Sequence, residues 1–330
     1  LIGVVVKFNR RRITQLAAGI AVVGIPQFAH ALDYPTRPVR VIVGFPPGGS
    51  ADIVTRIVAQ ALSERLGQSF IVDNRSGAGS NIGTEAVARA DPDGYTLLSV
   101  SVANAINATL YKKLNFDYMR DFEPVASIDV VPNVMDVSLS VPANTVPEFI
   151  AYAKANPGKI SMGSGGVGSS PHVAGELFKM MTGINMVHVP YRGVALATTD
   201  LLAGRVQVLF DTLPASIANI RAGKVRALAV TTKTRSEALP DVPAMTEFVP
   251  GYEATSFHGI AAPKGTPPEI IEKLNSAVNA SLADPKLKTR LADLGGTVLT
   301  GTPASFGRFM AGEIDKWGKV VKFSGAKQED

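Results

Sequence analysis

The sequence predicts an α/β fold in two lobes, each a sheet covered by helices. Three observations carry this. From Val39 onwards short apolar runs alternate with segments of helical period, the pattern of strand–helix–strand units. A hydrophobic fraction of 46% over 330 residues supports a large core, divided between two lobes. Glycine-rich turns follow strands in both halves of the chain, at the strand ends where such folds place their ligand crevices.

The N-terminal segment comes first and stands apart. Lys7, Arg10, Arg11 and Arg12 precede an apolar stretch, Ile13 to Phe28, broken by Pro26 and followed by Ala29-His30-Ala31. A basic head, an apolar middle and a small-x-small site predict a secretory signal over 1–31, cleaved after Ala31. The stretch is short for a membrane span of roughly 20 residues. The export route, general or twin-arginine, is left open by three consecutive arginines. The body is thus expected to be soluble and outside the cytoplasm. Of the formal charge of +5, the four leader residues carry +4, so the body stands near +1. A near-neutral body argues against nucleic-acid binding. The absence of cysteine excludes disulfide scaffolds, thiolate metal sites and cysteine nucleophiles.

Within the body, Val39–Phe45, Ser69–Val72 and Tyr95–Val100 read as strands, with helices at Ala51–Leu66 and near Ile82–Arg89. Ile53, Ile57 and Ala61 form one stripe of the first helix, with Val54, Val58 and Leu62 beside it. Lys159–Met162, Met186–Val189, Val206–Phe210 and Val225–Val230 read as further strands, separated by helices near Pro171–Met181, Leu196–Leu202 and Ala215–Ala222. This alternation predicts parallel sheets. Val131-Pro132-Asn133 and Val249-Pro250-Gly251-Tyr252 are expected to be loops crossing between lobes. Helices at Pro268–Leu282, Pro285–Leu294 and Pro303–Phe323 complete the chain; Phe306, Phe309, Met310, Ile314, Trp317 and Val321 share one face of the last and predict core packing.

Two turns carry the site argument. In Phe45-Pro46-Pro47-Gly48-Gly49-Ser50-Ala51-Asp52 a strand runs into a helix. Its glycines allow positive φ and close approach, Ser50 or Asp52 is suited to cap the helix, and the helix N-terminus is a place for an anion. The second turn, Gly163 to Ser170 before Pro171 and His172, has four glycines and three serines without a charge, a nest of backbone donors. Its Gly163-x-Gly165-x-x-Gly168 spacing matches a dinucleotide fingerprint, but the next strand ends in Pro190-Tyr191-Arg192 with no acid for a ribose, so a nucleotide is rejected. A third turn, Asn74 to Gly83, either binds an anion or is a plain connection with Arg75 on a neighbouring acid. Two uncharged nests suit one small carboxylate gripped from both sides.

The titratable residues offer less. His188 reads as a packed structural histidine, and His172 with Glu176 at i, i+4 reads as a polar cleft residue rather than half a metal pair, for want of a third ligand. His258 is placed to line the same cleft. Asp211 either accepts from a ligand, pairs with Arg192 or caps the following helix. No G-x-S-x-G occurs and no local nucleophile, base and orienter stand together, so no enzyme, metal or cofactor is expected.

Tyr34-Pro35-Thr36-Arg37-Pro38, Phe45 to Asp52, Asn74-Arg75, Gly77-Ala78-Gly79, Pro92-Asp93-Gly94-Tyr95-Thr96, Pro157-Gly158-Lys159, Gly168 to His172, Val189-Pro190-Tyr191-Arg192-Gly193 and Leu239-Pro240-Asp241-Val242-Pro243 together resemble the Bug (TctC-like) family. These are extracytoplasmic substrate-binding proteins of tripartite tricarboxylate transporters. The resemblance runs from about Tyr34 to Val321. It implies a type II periplasmic-binding-protein fold, two doubly wound α/β lobes with a ligand cleft between them. Lobe 1 would be discontinuous, 32–132 and 257–330, and lobe 2 would be 133–256. It implies a monomer that holds a small carboxylate and delivers it to integral membrane permease subunits. A receptor feeding a signalling partner is the alternative, and a periplasmic enzyme on the same scaffold a lesser one. Carried over residue by residue, the ligand-binding set is Phe45, Pro47, Gly48, Gly49, Ser50 and Asp52 from the first turn and Ser164, Gly165, Gly168, Ser169, Ser170 and His172 from the second. Ser101, Asn104, Tyr191, Asp211 and His258 would complete the walls. The chain departs from the family pattern at Ala195-Leu196, where Ala-Pro is frequent, and at Phe257-His258-Gly259, where two aromatics often precede the glycine.

Overall fold

Fully buried apolar runs such as Val39–Val43, with one exposed position in five, form strands that are covered on both faces. Ten strands and eleven α-helices follow one another in the computed structural model, which describes residues 2–5 and 33–324. The leader expected over 1–31 lies almost wholly outside the described residues. In chain order the elements are β1 (Val39–Val43), α1 (Ser50–Leu66), β2 (Phe70–Asn74), α2 (Asn81–Ala88), β3 (Thr96–Ser101), α3 (Val102–Leu110), α4 (Tyr118–Asp121) and β4 (Phe122–Val137). Then come α5 (Val146–Ala155), β5 (Ile160–Ser164), α6 (Ser170–Thr182), β6 (Met186–Pro190), α7 (Val194–Leu202), β7 (Val208–Thr212), α8 (Leu213–Arg221) and β8 (Arg226–Val230). The chain closes with β9 (Thr255–Pro263), α9 (Pro268–Leu282), α10 (Pro285–Asp293), β10 (Thr297–Val298) and α11 (Pro303–Ser324).

The strands expected from periodicity are present, but the sheets are mixed rather than parallel. β1 lies parallel to β2 and β3, and β5 parallel to β6 and β7. Antiparallel β9 joins β3 to β4, and β4 runs antiparallel to β7, β8 and β10. β4 is a single strand of 16 residues that serves two sheets. Its part from Phe122 to Pro132 pairs with β9, and its part from Asn133 to Val137 pairs with β7 and β8. The order is therefore β2-β1-β3-β9-β4-β10 on one side and β6-β5-β7-β4-β8 on the other.

The segment Val131-Pro132-Asn133, expected to be a loop, is the middle of this strand. Pro132 is the last residue paired with β9, opposite Thr255. Proline has no N–H for a ladder, so the strand leaves one sheet there and enters the next. Asn133 then fastens the switch. Its Nδ2 donates to Phe210 O on β7 at 2.8 Å, and its N–H donates to Thr231 Oγ1 at 2.8 Å. Its carbonyl accepts from Thr231 N–H at 2.9 Å. Thr231 in turn accepts from the Ala254 N–H at 3.1 Å, so the chain returns to β9 beside the point where β4 crossed.

α11 packs on α3, β4 and α6, and so spans both sheets. The aromatic stripe does face the core: Phe306, Met310, Trp317 and Val321 are buried, with Phe309 and Ile314 half-buried against them. Trp317 is fully buried and donates from Nε1 to Glu313 Oε2 at 2.8 Å. No helix among the described residues is long and apolar enough to cross a membrane. Truncating this side chain opens a cavity and leaves the Glu313 carboxylate short of a donor. Trp317→Ala is therefore expected to destabilise the fold by about 3–5 kcal/mol. Because it is the sole tryptophan, the loss is read as a lower urea midpoint followed by circular dichroism.

Candidate functional site

The first glycine-rich turn leaves β1 and enters α1 with Gly49, not Ser50 or Asp52, as N-cap. Asp52 instead holds the turn together from behind. Its Oδ2 accepts from the Gly48 N–H at 3.1 Å, and its Oδ1 accepts from Arg56 Nε and Asn74 Nδ2, both at 2.9 Å. Burial alone would raise Asp52, but these donors outweigh it and hold the carboxyl below its ordinary range. Asn74 also donates to Phe45 O at 2.9 Å. Gly48, at φ +91°, makes the bend that a side chain would resist.

The second turn links β5 to α6. Ser169 is the N-cap, and its Oγ donates to Gly166 O at 2.7 Å. Ser170 Oγ donates to Asn133 Oδ1 at 2.7 Å, which ties the start of α6 to the sheet switch. Gly168 has φ +82°, and a Cβ there would sit 2.5 Å from Asn107 Oδ1 of α3. The turn is thus pressed against the other half of the molecule. The first turn is pressed across in the same way, since a Cβ on Gly193 would lie 2.9 Å from Pro46 Cγ.

Between these contacts lies one cavity of about 530 Å³, its open mouth included. Phe45, Gly49 and Ser50 of the first turn and Gly165, Ser169 and Ser170 of the second all line it, with Ser101, Asp211 and His258. The other residues singled out in the sequence stand behind this surface. Pro47, Gly48 and Gly168 shape the turns. Asn104 accepts from the Ser101 N–H at 2.9 Å in a capping box at the start of α3. Ser164 Oγ lies 2.6 Å from His188 Nε2. Tyr191 donates to Asp200 Oδ2 at 2.7 Å. His172 accepts from the Gly168 N–H through Nδ1 at 3.3 Å and stacks on His188 at 4.1 Å. Burial, and after it Lys179, lowers His172 to about 4, while burial and then His172 lower His188 to about 3, so both rings are neutral at pH 7. Glu176 is bound by Lys179 at 2.8 Å and does not join His172, and the described residues contain no metal-binding group of three. The third turn stays outside the lining: Arg75 is paired with Asp73 at 3.0 Å.

The lining that sequence reasoning missed is informative. Gly193, Val194 and Thr212 belong to it, and Val102 and Pro171 line the cavity as well. Each sits at the first turn or N-cap of a helix, so α1, α3, α6, α7 and α8 all begin at this cavity. Five helix starts bring the positive ends of their dipoles to one place. Among the described lining residues there is no lysine or arginine, and the titratable ones are Asp211 and His258. Asp211 is tied to neither Arg192 nor a helix cap. Its Oδ1 accepts from the Thr212 N–H at 2.7 Å while Oδ2 is buried without a partner. Burial pushes its carboxyl up to about 7, against the hydrogen bonds from Thr212. Behind it Asp136, bonded to Ser216, is also raised well above the ordinary range by burial.

Over residues 54–326 the sequence matches the tripartite tricarboxylate transporter family receptor, TctC. The chain belongs to this family. Protein BugT of Bordetella pertussis is 38% identical over 311 residues, covering 93% of this chain and 95% of BugT. The R. palustris protein Rpa4515, solved with adipate, is 41% identical with a TM-score of 0.87, and the match covers 89% of this chain and 99% of that one. MatC from Rhodopseudomonas palustris, solved with bound malate, is 31% identical with a TM-score of 0.83, over 87% of this chain and 100% of MatC. TctC receptors of this kind are two-lobed periplasmic binding proteins, and the split of β4 between two sheets is how this chain builds its two halves.

Asp211 sets a pH dependence with a definite sign. Its folded pKa near 7 lies above the ordinary aspartate value of about 4. Its contribution to stability is thus whole below about pH 4 and is lost as pH rises through 7. Asp211→Asn, which cannot ionise, should match the parent in Tm at pH 4 and exceed it at pH 8, by about 1–4 kcal/mol of stability. Parallel Tm profiles for the two proteins across pH 4–8 would contradict this placement.

Proposed function

We propose that this protein is a periplasmic receptor that captures a small organic carboxylate between its lobes and delivers it to integral membrane permease subunits. The observation that carries the reading is the convergence of five helix starts on a cavity lined by no lysine or arginine. Such a cavity attracts an anion through fixed N–H donors without burying a cationic side chain. Adipate and malate in the related structures support dicarboxylates as the first class to try. The lobes proposed are 32–132 with 257–330, and 133–256, hinged where β4 changes sheets. Closure follows from tighter binding to the closed form. The leader is proposed to be removed after Ala31. Delivery to a permease, rather than signalling, is tested by deleting the gene and measuring uptake of the labelled carboxylate in cells.

Binding itself is tested by thermal shift and calorimetry with adipate, malate and adipamide. The dianions should raise Tm, with about 2.7 kcal/mol of stabilisation at a hundredfold excess over Kd, and the neutral diamide should not. The backbone contribution is tested at Val194, the first residue of α7, where proline fits the helix and deletes an N–H. Gly193 before it is extended, at φ 172° and ψ 154°, as a residue preceding proline must be. Val194→Pro should bind a carboxylate about tenfold or more weakly than Val194→Ala, which keeps the donor. Equal affinities would remove the α7 start from the site.

A further inference from the structure

One wall of the cavity is unlike the rest. Ser50 offers a hydroxyl wired in series to two titratable side chains rather than a fixed N–H. Ser50 Oγ lies 3.0 Å from His258 Nε2, and His258 Nδ1 lies 2.7 Å from Asp129 Oδ1. The three residues are 6%, 1% and 0% exposed. Asp129 and His258 face each other in the β4–β9 register, so backbone pairing holds the ring and the carboxylate together. The three come from positions 50, 129 and 258, far apart in sequence, and Ser50 and His258 line the cavity.

The hydrogen-bond logic of this chain has two states. The ring nitrogen beside the carboxylate carries a proton in both. When Nε2 is bare it accepts the Ser50 O–H, and Ser50 shows the cavity only lone pairs. When Nε2 is protonated it donates to Ser50 Oγ, and the serine O–H is released toward the cavity. A carboxylate oxygen accepts only, so it meets repulsion in the first state and a donor in the second. Asp129 neutralises the resulting imidazolium, which a buried ring otherwise resists. Resting on the carboxylate reading above, we propose that binding of a carboxylate is coupled to uptake of one proton by the Ser50–His258–Asp129 relay. The cargo is then taken as anion plus proton, and the relay selects anions when protonated and hydroxyl or N–H donors when neutral.

The surroundings leave this relay few competitors. Asp52, on α1, is held by Arg56, Asn74 and the Gly48 amide. Ser101 of β3 stands opposite His258 and is uncharged. α3 carries no charged residue, and Glu85, the acid of α2, is paired with Arg89 and bonded by Asn115. On α11, which sets Phe309 against Phe257, Glu313 is taken by Trp317 and Lys316. Asp211, from β7, is the other titratable group at the cavity, and its protonation would also follow anion binding. His172 and His188 lie outside the lining.

The experiment is calorimetry with adipate at pH 8, where both of its carboxyls are ionised, in buffers of different ionisation enthalpy. The parent protein should take up one proton per adipate besides any share of Asp211, and Kd should weaken about tenfold per pH unit for each proton taken up. The relay variants are compared in the Asp211→Asn background, which removes the share of that residue and should itself still take up close to one proton per adipate. His258→Phe and His258→Gln should bind adipate with no uptake beyond any share of Asp211, and Ser50→Ala, which leaves the ring in place, should uncouple it too. Uptake that persists in all three relay variants, or that vanishes only in Asp211→Asn, overturns the proposal while leaving the receptor reading intact. Failure of the parent to bind any carboxylate overturns both. Acylation of Ser50 by p-nitrophenyl acetate, abolished in His258→Phe, would assign the chain to nucleophilic chemistry and overturn it as well.

Discussion

The structure depends on one strand belonging to two sheets. Two glycine-rich turns, one on each sheet, face one cavity because β4 runs unbroken from one sheet into the other. Asn133 is where the constraint is enforced. Fully buried, it satisfies its side chain with Phe210 O and Ser170 Oγ and its main chain with Thr231. A buried amide with every group paired is costly to disturb, so the switch point also anchors the start of α6. The turn that lines the cavity and the joint between the sheets are therefore one hydrogen-bonded unit.

The second organising feature is electrostatic. A buried cation would bind a carboxylate strongly but would have to be desolvated with or without a guest. This cavity avoids that by collecting helix starts. Each contributes a fraction of a positive charge at its N-terminus, which suits the carboxylate proposed above. Asp211, at the cavity, adds a response to pH instead of bulk positive charge. Backbone donors are nearly indifferent to what lies beyond the carboxylate, which suits a family whose solved members hold cargoes as different as adipate and malate.

Much of the fold was legible in the sequence because β1 and β7 are mostly apolar and the helices keep a clean period, as in α9 and α11. β4 was not legible, because Pro124 and Pro132 interrupt it and proline reads as a breaker. In the structure those prolines sit at a register shift and at the sheet switch, where a missing N–H is no loss. Asn104 and His172 looked like site residues but serve as a cap for α3 and a prop for the second turn. Both lie one layer behind the lining, a distinction that sequence spacing does not encode.

Residue order alone determined the strand-to-helix turns, their glycines and their lack of charge, since these are local properties of consecutive residues. It also determined the close likeness to the TctC receptors, carried by motifs spread from Tyr34 to Val321. The tertiary structure alone decided that five helices start at one cavity and that Ser50, Asp129 and His258 touch. Those contacts join residues up to 208 positions apart. They exist because antiparallel pairing of β4 with β9 sets Asp129 opposite His258, a register that no local pattern in either strand announces.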